Sequence, residues 1–584
     1  MGSYDRFPTV PVPGHEVLLG YSALLAALAR RVDELRAAGP SRVVLTCECY
    51  PGVREDELLD ALRELRPDVL LATRELFPAP AELTRRMAPF LTDDRVFGRM
   101  CFGELEDFMD ADALAAAREQ VARAEGLVVV CGFGATLVHP GDALVYADVT
   151  RWEIQLRYRA GMPNYGCDNT SDDVLRKVKR GYFVEWRLAD RVKARVLPRA
   201  DFVVDTVDEG APRAVTGEAL RDALDVAASR PFRTVPYFDP GVWGGQWMRE
   251  RFDLPGGTPN YAWSFDGVPE ENALALAFGN AVVRVPATDL VLLRPRPLLG
   301  EGVYARYGAE FPIRFDLLDT MGGQNLSLQV HPTTDYIRRA FGMAYTQDES
   351  YYILDAGEDA CVYLGLREGV DPGEMMGALE EANAGGAPFD AERYVNRISA
   401  RRHDHFLIPA GTVHCSGANT MVLEISATPY IFTFKLWDWG RTGLDGRPRP
   451  VHLTHGREVI RWDRTTGWVE KNLVDQAADV DEPCGAARVE RTGLHALEPL
   501  ETRRYTVGPG GRALLDTAGT VNVFNLVEGE EVLVESPEGA FEPMRVHYAE
   551  TFVVPAATGA FAIRNDGRST AMLMRAHVRG TEER

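Results

Sequence analysis

The stretch NLSLQVHP, positions 325–332, sets a hydroxyl, an amide and an imidazole at alternate positions: Ser327, Gln329 and His331. Successive side chains of a strand point to opposite faces, so these three would line one wall while Leu326, Leu328 and Val330 line the other. Two later stretches add donors. YTQDESYYILDA carries Glu349 at the start of a Tyr- and Ile-rich strand, and FLIPAGTVHCSG carries His414 after a Pro-Ala-Gly turn. Gln329, His331, Glu349 and His414 together offer an amide oxygen, two imidazoles and a carboxylate. That set suits a divalent first-row cation held through nitrogen and oxygen, and Zn²⁺ is the commonest choice for two His plus a carboxylate. The amide is a weak ligand, which leaves such an ion Lewis-acidic. If the four converge, the expectation is one divalent metal per chain, most simply Zn²⁺.

Proton-transfer groups cluster in MVLEISATPYIFTFKLWDWGR. Glu424 falls in an apolar strand, where burial raises a carboxyl pKa. Lys435 alternates with Thr433 and Trp437, and Asp438 and Arg441 follow. Each candidate also has a plain structural role. His414 can be a packed strand residue, Glu349 a strand-end cap, Glu424 half of a buried ion pair and Lys435 an exposed strand charge. His403 and His405 in RRHDHF also alternate, and a structural or rim role is expected for them.

The elements that must carry these residues differ along the chain. Residues 20–230 alternate amphipathic helices, such as YSALLAALARRVDELRAAG, with short aliphatic runs, such as SRVVLTCECY and LVVVCGFGATL. That alternation predicts a mostly parallel, helix-covered sheet. From about residue 231 short alternating segments punctuated by Gly and Pro predict antiparallel β-barrels, interrupted by one helical insertion, DPGEMMGALEEANAGG. Residues 485–584 repeat the β texture without the metal-ligand residues. The expected fold is multidomain: an α/β domain over 1–230, a metal-binding β-barrel over 231–484 with its helical insertion, and a second, metal-free barrel over 485–584.

The formal net charge of −22 disfavours nucleic-acid or anionic-membrane partners, leaving a small-molecule ligand. No window approaches the ~20 apolar residues of a membrane span. MGSYDRFPTVPVPGHE lacks the features of a secretory signal. The Cys residues at 47, 49, 101, 131, 167, 361, 415 and 484 form no CxxC, so no disulfide framework or cysteine metal site is expected, and a reducing cytoplasm is. Oligomeric state stays open.

The order LS-x-QVHP, E-x-x-YIL, IPAGT-x-H and D-W-x-R closely resembles the type I mannose-6-phosphate isomerases, metal-dependent cupins. PGVWGGQWMRE (240–250) and LDGRPRPVHL (444–453) resemble further blocks of that family, so the likeness runs over roughly 231–584. It implies two cupin barrels, Gln329, His331, Glu349 and His414 as metal ligands, and interconversion of an aldohexose phosphate with its ketose. It also implies Glu424, Lys435 and Arg441 as catalytic groups, and Ser327, Arg314 and Asp438 as substrate-binding ones. Two positions depart from the family. Gln347 stands where many relatives carry Lys, and Asp316 stands in FPIRFDLLD where relatives carry another, with Arg314 two residues away on the same face. These departures leave an unphosphorylated sugar, or a sugar-binding sensor or scaffold, as alternatives.

The N-terminal third loosely resembles a degenerate P-loop kinase. RVVLTCECYPGVREDELLDAL has the strand–loop–helix layout, but its loop offers only Gly52 and lacks the Lys-Ser/Thr of a working phosphate loop. The resemblance implies a domain without kinase activity. Gly132 and Gly134 form a lone GxG, and the basic cluster VLRKVKRGYFVEWRLADRVKAR (174–195) reads as a phosphate contact or a solvated helix face.

Overall fold

The computed structural model describes residues 4–39, 41–428, 430, 432–446, 449–493 and 495–582. The chain divides into two compact units, and not at a single point. One unit comprises residues 9–226 together with 273–293; the other comprises the N-terminal residues to Pro8, 227–272 and 294 onward. The boundary expected at 230/231 therefore lies at 226/227. The segment 273–293, expected within the second domain, packs with the first. Its strands Ala273–Phe278 and Ala281–Pro286 form a hairpin, and Val10–Pro11 adds to it in parallel.

The first unit is α/β, as the alternation predicts. Its seven-stranded sheet runs in the order Leu18–Leu19, Arg213–Thr216, Phe202–Asp205, Ala143–Asp148, Arg42–Cys49, Gly126–Gly132, Val69–Ala72. The last five of these are mutually parallel. Val43, Val44, Leu45 and Val128–Val130 are fully buried. Such unbroken aliphatic runs are what strands covered on both faces require. The chain order reverses at Arg42–Cys49, whose neighbours are Gly126–Gly132 on one side and Ala143–Asp148 on the other.

The basic cluster is only partly a solvated face: Arg176 and Arg195 are exposed, but four of its cations are not. Lys177, Lys179, Arg180 and Lys193 are all buried, on the helices Val174–Arg180 and Trp186–Val196. Lys177 Nζ donates to the carbonyls of Thr170 at 2.7 Å and Met162 at 3.1 Å, and Arg180 pairs with buried Glu185 at 2.7 Å. Lys193 Nζ lies 2.8 Å from both Asp148 Oδ2 and Asp289 Oδ1, and 4.4 Å above the Tyr50 ring. Burial pushes the Lys193 pKa down, but the two carboxylates outweigh it and hold it above the ordinary value. Removing the cation would leave two buried acids facing each other. Lys193→Met is therefore expected to destabilise this unit by about 3–5 kcal/mol. Calorimetry should show its unfolding midpoint lowered on the order of 10 °C.

The second unit is β-rich. A six-stranded sheet takes the order His405–Ile408, Asp348–Ala356, Thr420–Ala427, Arg314–Asp319, Trp263–Gly267, Tyr237–Asp239. A five-stranded sheet takes the order Val395–Ser399, Cys361–Leu366, His414–Ser416, Leu328–Val330, Phe434–Trp437. All pairings in both are antiparallel. The helical insertion is present as Pro372–Asn383, started by Asp371, whose carboxylate accepts the Glu374 N–H at 2.8 Å. Residues beyond 478 form a further six-stranded and a four-stranded sheet. Their core is aromatic and aliphatic, with Tyr505, Phe524, Leu526, Phe552, Phe561 and Leu573 completely buried.

A buried His–Glu–His cluster between two sheets

Gln329, His331 and His414 belong to the five-stranded sheet or its ends, and Glu349 to the six-stranded one. Gln329 and His414 sit opposite each other on neighbouring strands, so the ladder fixes their separation. Glu349 crosses from the other sheet. Its Oε2 lies 3.0 Å from His331 Nε2, and its Oε1 lies 2.8 Å from His414 Nε2. All three side chains are completely buried, and their ligating atoms lie within 4.8 Å of one another.

Each imidazole is oriented from behind. His331 Nδ1 lies 2.8 Å from the Phe432 carbonyl and His414 Nδ1 lies 2.9 Å from the Thr412 carbonyl. A carbonyl only accepts, so Nδ1 carries the proton on both rings and Nε2 of the neutral ring is a bare lone pair. Both lone pairs then face carboxylate oxygens, an arrangement that repels unless positive charge lies between them. Protonating both rings would leave one carboxylate against two buried cations, whereas a single divalent ion satisfies all three groups. The residues present therefore fit a metal. Gln329 Nε2 lies 3.2 Å from His414 Nε2, and turning the amide over presents Oε1 to the same point without changing its shape.

Burial alone would push the Glu349 carboxyl up, but positive charge on the His331 and His414 side outweighs it and holds the carboxyl well below its ordinary range. The turn before His414 is clamped. Gly411, at φ +89°, donates to the His331 carbonyl at 2.9 Å, and a Cβ there would meet Arg461 Cγ at 2.6 Å. Arg464 Nη1 donates to the carbonyls of Pro409 at 2.6 Å and Ala410 at 2.8 Å, and Asp348 accepts the Ala410 N–H at 2.8 Å.

The remaining candidates fall into two groups. Gln347 links the first to the cluster: its Oε1 accepts the Phe432 N–H at 3.0 Å, which turns Nε2 toward Glu349 Oε2 at 2.8 Å and Glu424 Oε1 at 3.4 Å. Glu424 sits opposite Asp316 on one neighbouring strand and Tyr351 on the other. Burial, then Glu349 and Asp316, push its pKa well above the ordinary value, with Arg314 opposing them. Arg314 Nε donates to Asp316 at 2.8 Å, while its two terminal nitrogens are buried without a hydrogen-bond partner and Nη1 is 3.8 Å from Glu271. Lys435 sits opposite Gln329 in the ladder, hence on the same face.

The second group is Ser327, Asp438 and Arg441. Ser327 lies just outside the strand Leu328–Val330, and its hydroxyl donates to Asp438 Oδ1 at 2.8 Å. Arg441 pairs with the same Asp438 oxygen at 2.5 Å and donates to the Asn325 carbonyl at 2.7 Å, and Arg449 also pairs with Asp438. These residues bond to one another rather than to the His–Glu–His cluster. Arg447 and Pro448 of the basic stretch lie outside the described residues.

Tyr351 escaped the sequence reading. Its hydroxyl is 3.5 Å from Gln329 Nε2 and its ring meets His414 edge-on at 5.8 Å. Two positions beyond Glu349 on one strand, it was reachable from strand alternation alone. His403 and His405 are not ligands of this cluster. His403 bridges the Tyr352 hydroxyl at 2.9 Å and Glu528 at 3.1 Å. His405 is buried with both ring nitrogens unpartnered, and burial, with Arg504 nearby, lowers its pKa to about 3. Its folded pKa lies below the unfolded value of ~6.5, so the unfolded chain binds the extra proton between those two pH values. Stability should therefore fall as pH drops through that window, by at most about 1.4 kcal/mol per pH unit from this group. His405→Phe is expected to flatten that acid limb in urea titrations from pH 7 to 4.

The site is a buried cluster of nitrogen and oxygen donors with the make-up to hold a cation, built across two antiparallel sheets. The chain is similar in sequence to curated mannose-6-phosphate isomerases. It is 26% identical over 284 residues to the mannose-6-phosphate isomerase of Streptococcus mutans, covering 46% of this chain and 84% of that one. It is 25% identical over 233 residues to the mannose-6-phosphate isomerase ManA of Bacillus subtilis, covering 40% and 68%. The crystal structure of the B. subtilis mannose 6-phosphate isomerase superposes with a TM-score of 0.49 at 18% identity, over 60% of this chain and 100% of that one. Residues 20–229 match a domain of unknown function, DUF8485. Among the described residues, no helix is long and apolar enough to cross a membrane.

Proposed function

We propose that this protein is a metal-dependent aldose–ketose isomerase acting on an aldohexose phosphate, with mannose 6-phosphate and fructose 6-phosphate as the first pair to test. The observation that carries the reading is the pair of Nε2 lone pairs aimed at one carboxylate, each fixed by a carbonyl behind it. Gln329, His331, Glu349 and His414 would hold the ion, Zn²⁺ by donor type. When bound, it supplies positive charge for the sugar oxygens at C1 and C2. Glu424 is assigned to carry the proton between those carbons, since its raised pKa suits both taking and returning it. Arg314, whose terminal nitrogens lack hydrogen-bond partners, and Lys435 are assigned to the anionic end of the substrate. Ser327, Asp438 and Arg441 would form one braced wall of the site.

A second reading, an unphosphorylated sugar, is favoured by Gln347 and by the Asp316 partner that offsets the Arg314 charge. Coupled assays on metal-replete protein with mannose 6-phosphate and free mannose, together with deuterium exchange at C2, separate these readings. Turnover of the phosphate alone supports the first, and of free mannose alone the second. Binding without exchange at C2 makes the chain a sugar sensor, and inertness toward both refutes the substrate assignment.

Two fold readings belong with this one. The paired sheets of the second unit are taken as two cupin barrels, only the first bearing metal, in keeping with the apolar core of the last. The first unit is taken as a P-loop-kinase-like domain without kinase activity. Ile154 packs against Gly52 and Arg157 donates to its carbonyl at 2.7 Å, so protein groups occupy the loop and no Lys follows it. Calorimetry with ATP and Mg²⁺ is expected to show no binding.

A further inference from the structure

A second cluster of donors lies in the α/β unit, outside anything the isomerase reading uses. Cys47 and Cys131 occupy paired positions on the adjacent parallel strands Arg42–Cys49 and Gly126–Gly132, and Cys49 follows Cys47 on the same face. The three are buried and free of disulfides. Their sulfurs all lie within 4.8 Å of one another, about twice the ~2.3 Å length of a zinc–thiolate bond. One ion can therefore touch all three with little movement.

Buried cysteines often serve only as small apolar side chains. Two features set these apart. Upstream, the same strands are purely aliphatic, Val43–Leu45 and Leu127–Val129, so sulfur appears only toward their carboxyl ends. That end is also where the strand order reverses, the place at which open α/β sheets collect their ligands. Moreover, the hydrogen-bonded ladder fixes the Cys47–Cys131 spacing before any ion arrives.

We propose that Cys47, Cys49 and Cys131 form a three-thiolate site for a thiophilic d¹⁰ cation, of the Zn²⁺ or Cu⁺ class. Sulfur-only donors select such ions over the harder cations that oxygen prefers. Binding displaces the remaining S–H protons of the three cysteines, which pass to solvent as the thiolates take the ion. No redox change is involved.

Cd²⁺, a d¹⁰ ion whose thiolate complexes absorb in the near ultraviolet by charge transfer, tests the assignment on the full-length reduced protein. The His–Glu–His cluster contains no thiolate and is silent in that band. With the His–Glu–His site first loaded with Zn²⁺, titration in dilute buffer is expected to raise the band to saturation at one further equivalent per chain, releasing about two to three protons as it grows. Cys131→Ser and Cys49→Ser should each weaken the band-forming step at least tenfold, and Cys167→Ser, outside the cluster, should leave it unchanged. A wild-type protein without the band, or with no proton released as it grows, overturns the proposal whether or not the cluster variants fold. So does a band that survives intact in folded Cys131→Ser.

Discussion

Glu349→Ala is expected to remove one equivalent of metal per chain and to lower turnover of the isomerase substrate by ~10³ or more, since Lewis-acid stabilisation of this kind amounts to several kcal/mol. The size of the effect follows from the position of Glu349 between two rings. Both imidazoles are locked by the Phe432 and Thr412 carbonyls and cannot swing to other partners. Glu349 supplies the only carboxylate among the four proposed ligands, and without it an ion would be held by three neutral groups in a completely buried space. Elemental analysis and steady-state kinetics on the same preparation decide the matter. Because the Cys47 cluster is proposed to take its own ion, the quantity to read is the loss of one equivalent rather than the total. Undiminished metal and turnover in the folded variant would dispose of the cluster as the catalytic centre.

Glu424→Gln is expected to behave differently: metal retained, KM changed little, kcat lowered by ~10²–10⁴, the range for loss of a positioned general base. Glu424 adjoins the cluster through Gln347 and through Glu349 without being one of its donors, so ion content should not follow its removal. Glutamine keeps the shape and one acceptor but cannot take a proton. Solvent deuterium should then cease to enter C2 while substrate still binds, measured by calorimetry. Full exchange in the variant would transfer the proton-moving role elsewhere, with Asp316 opposite it in the ladder as the next group to test.

The convergence of the donor residues was legible because strand alternation is short-ranged. Gln329 and His331 share a wall by phasing alone, and Glu349 begins a strand whose Tyr-Tyr-Ile run is plain in the sequence. Sequence also anticipated the α/β alternation of the first unit, down to the strands Arg42–Cys49, Gly126–Gly132 and Ala143–Asp148. Long-range partners were not legible. Arg464 bracing the Pro409 turn, or Asp289 reaching Lys193, depends on tertiary contacts across 55 and 96 positions, for which local patterning carries no signal. Ser327 shares the phase of Gln329, yet Asp438 claims its hydroxyl from 111 residues away. The cysteine cluster was not legible either, because its members share no short sequence spacing such as CxxC. Cys131 joins Cys47 only through strand pairing.

The excursion of residues 273–293 carries a practical lesson for anyone dissecting this molecule. Since the polypeptide departs, contributes a hairpin and the Lys193 counter-charge Asp289, and returns, no lone cut yields two whole pieces. A fragment starting at 231 would carry an orphaned hairpin, while one stopping at 230 would expose the groups that hairpin ordinarily shields. Gene shuffling between this protein and isomerases lacking the α/β half would accordingly need paired junctions, exchanging the loop along with the domain.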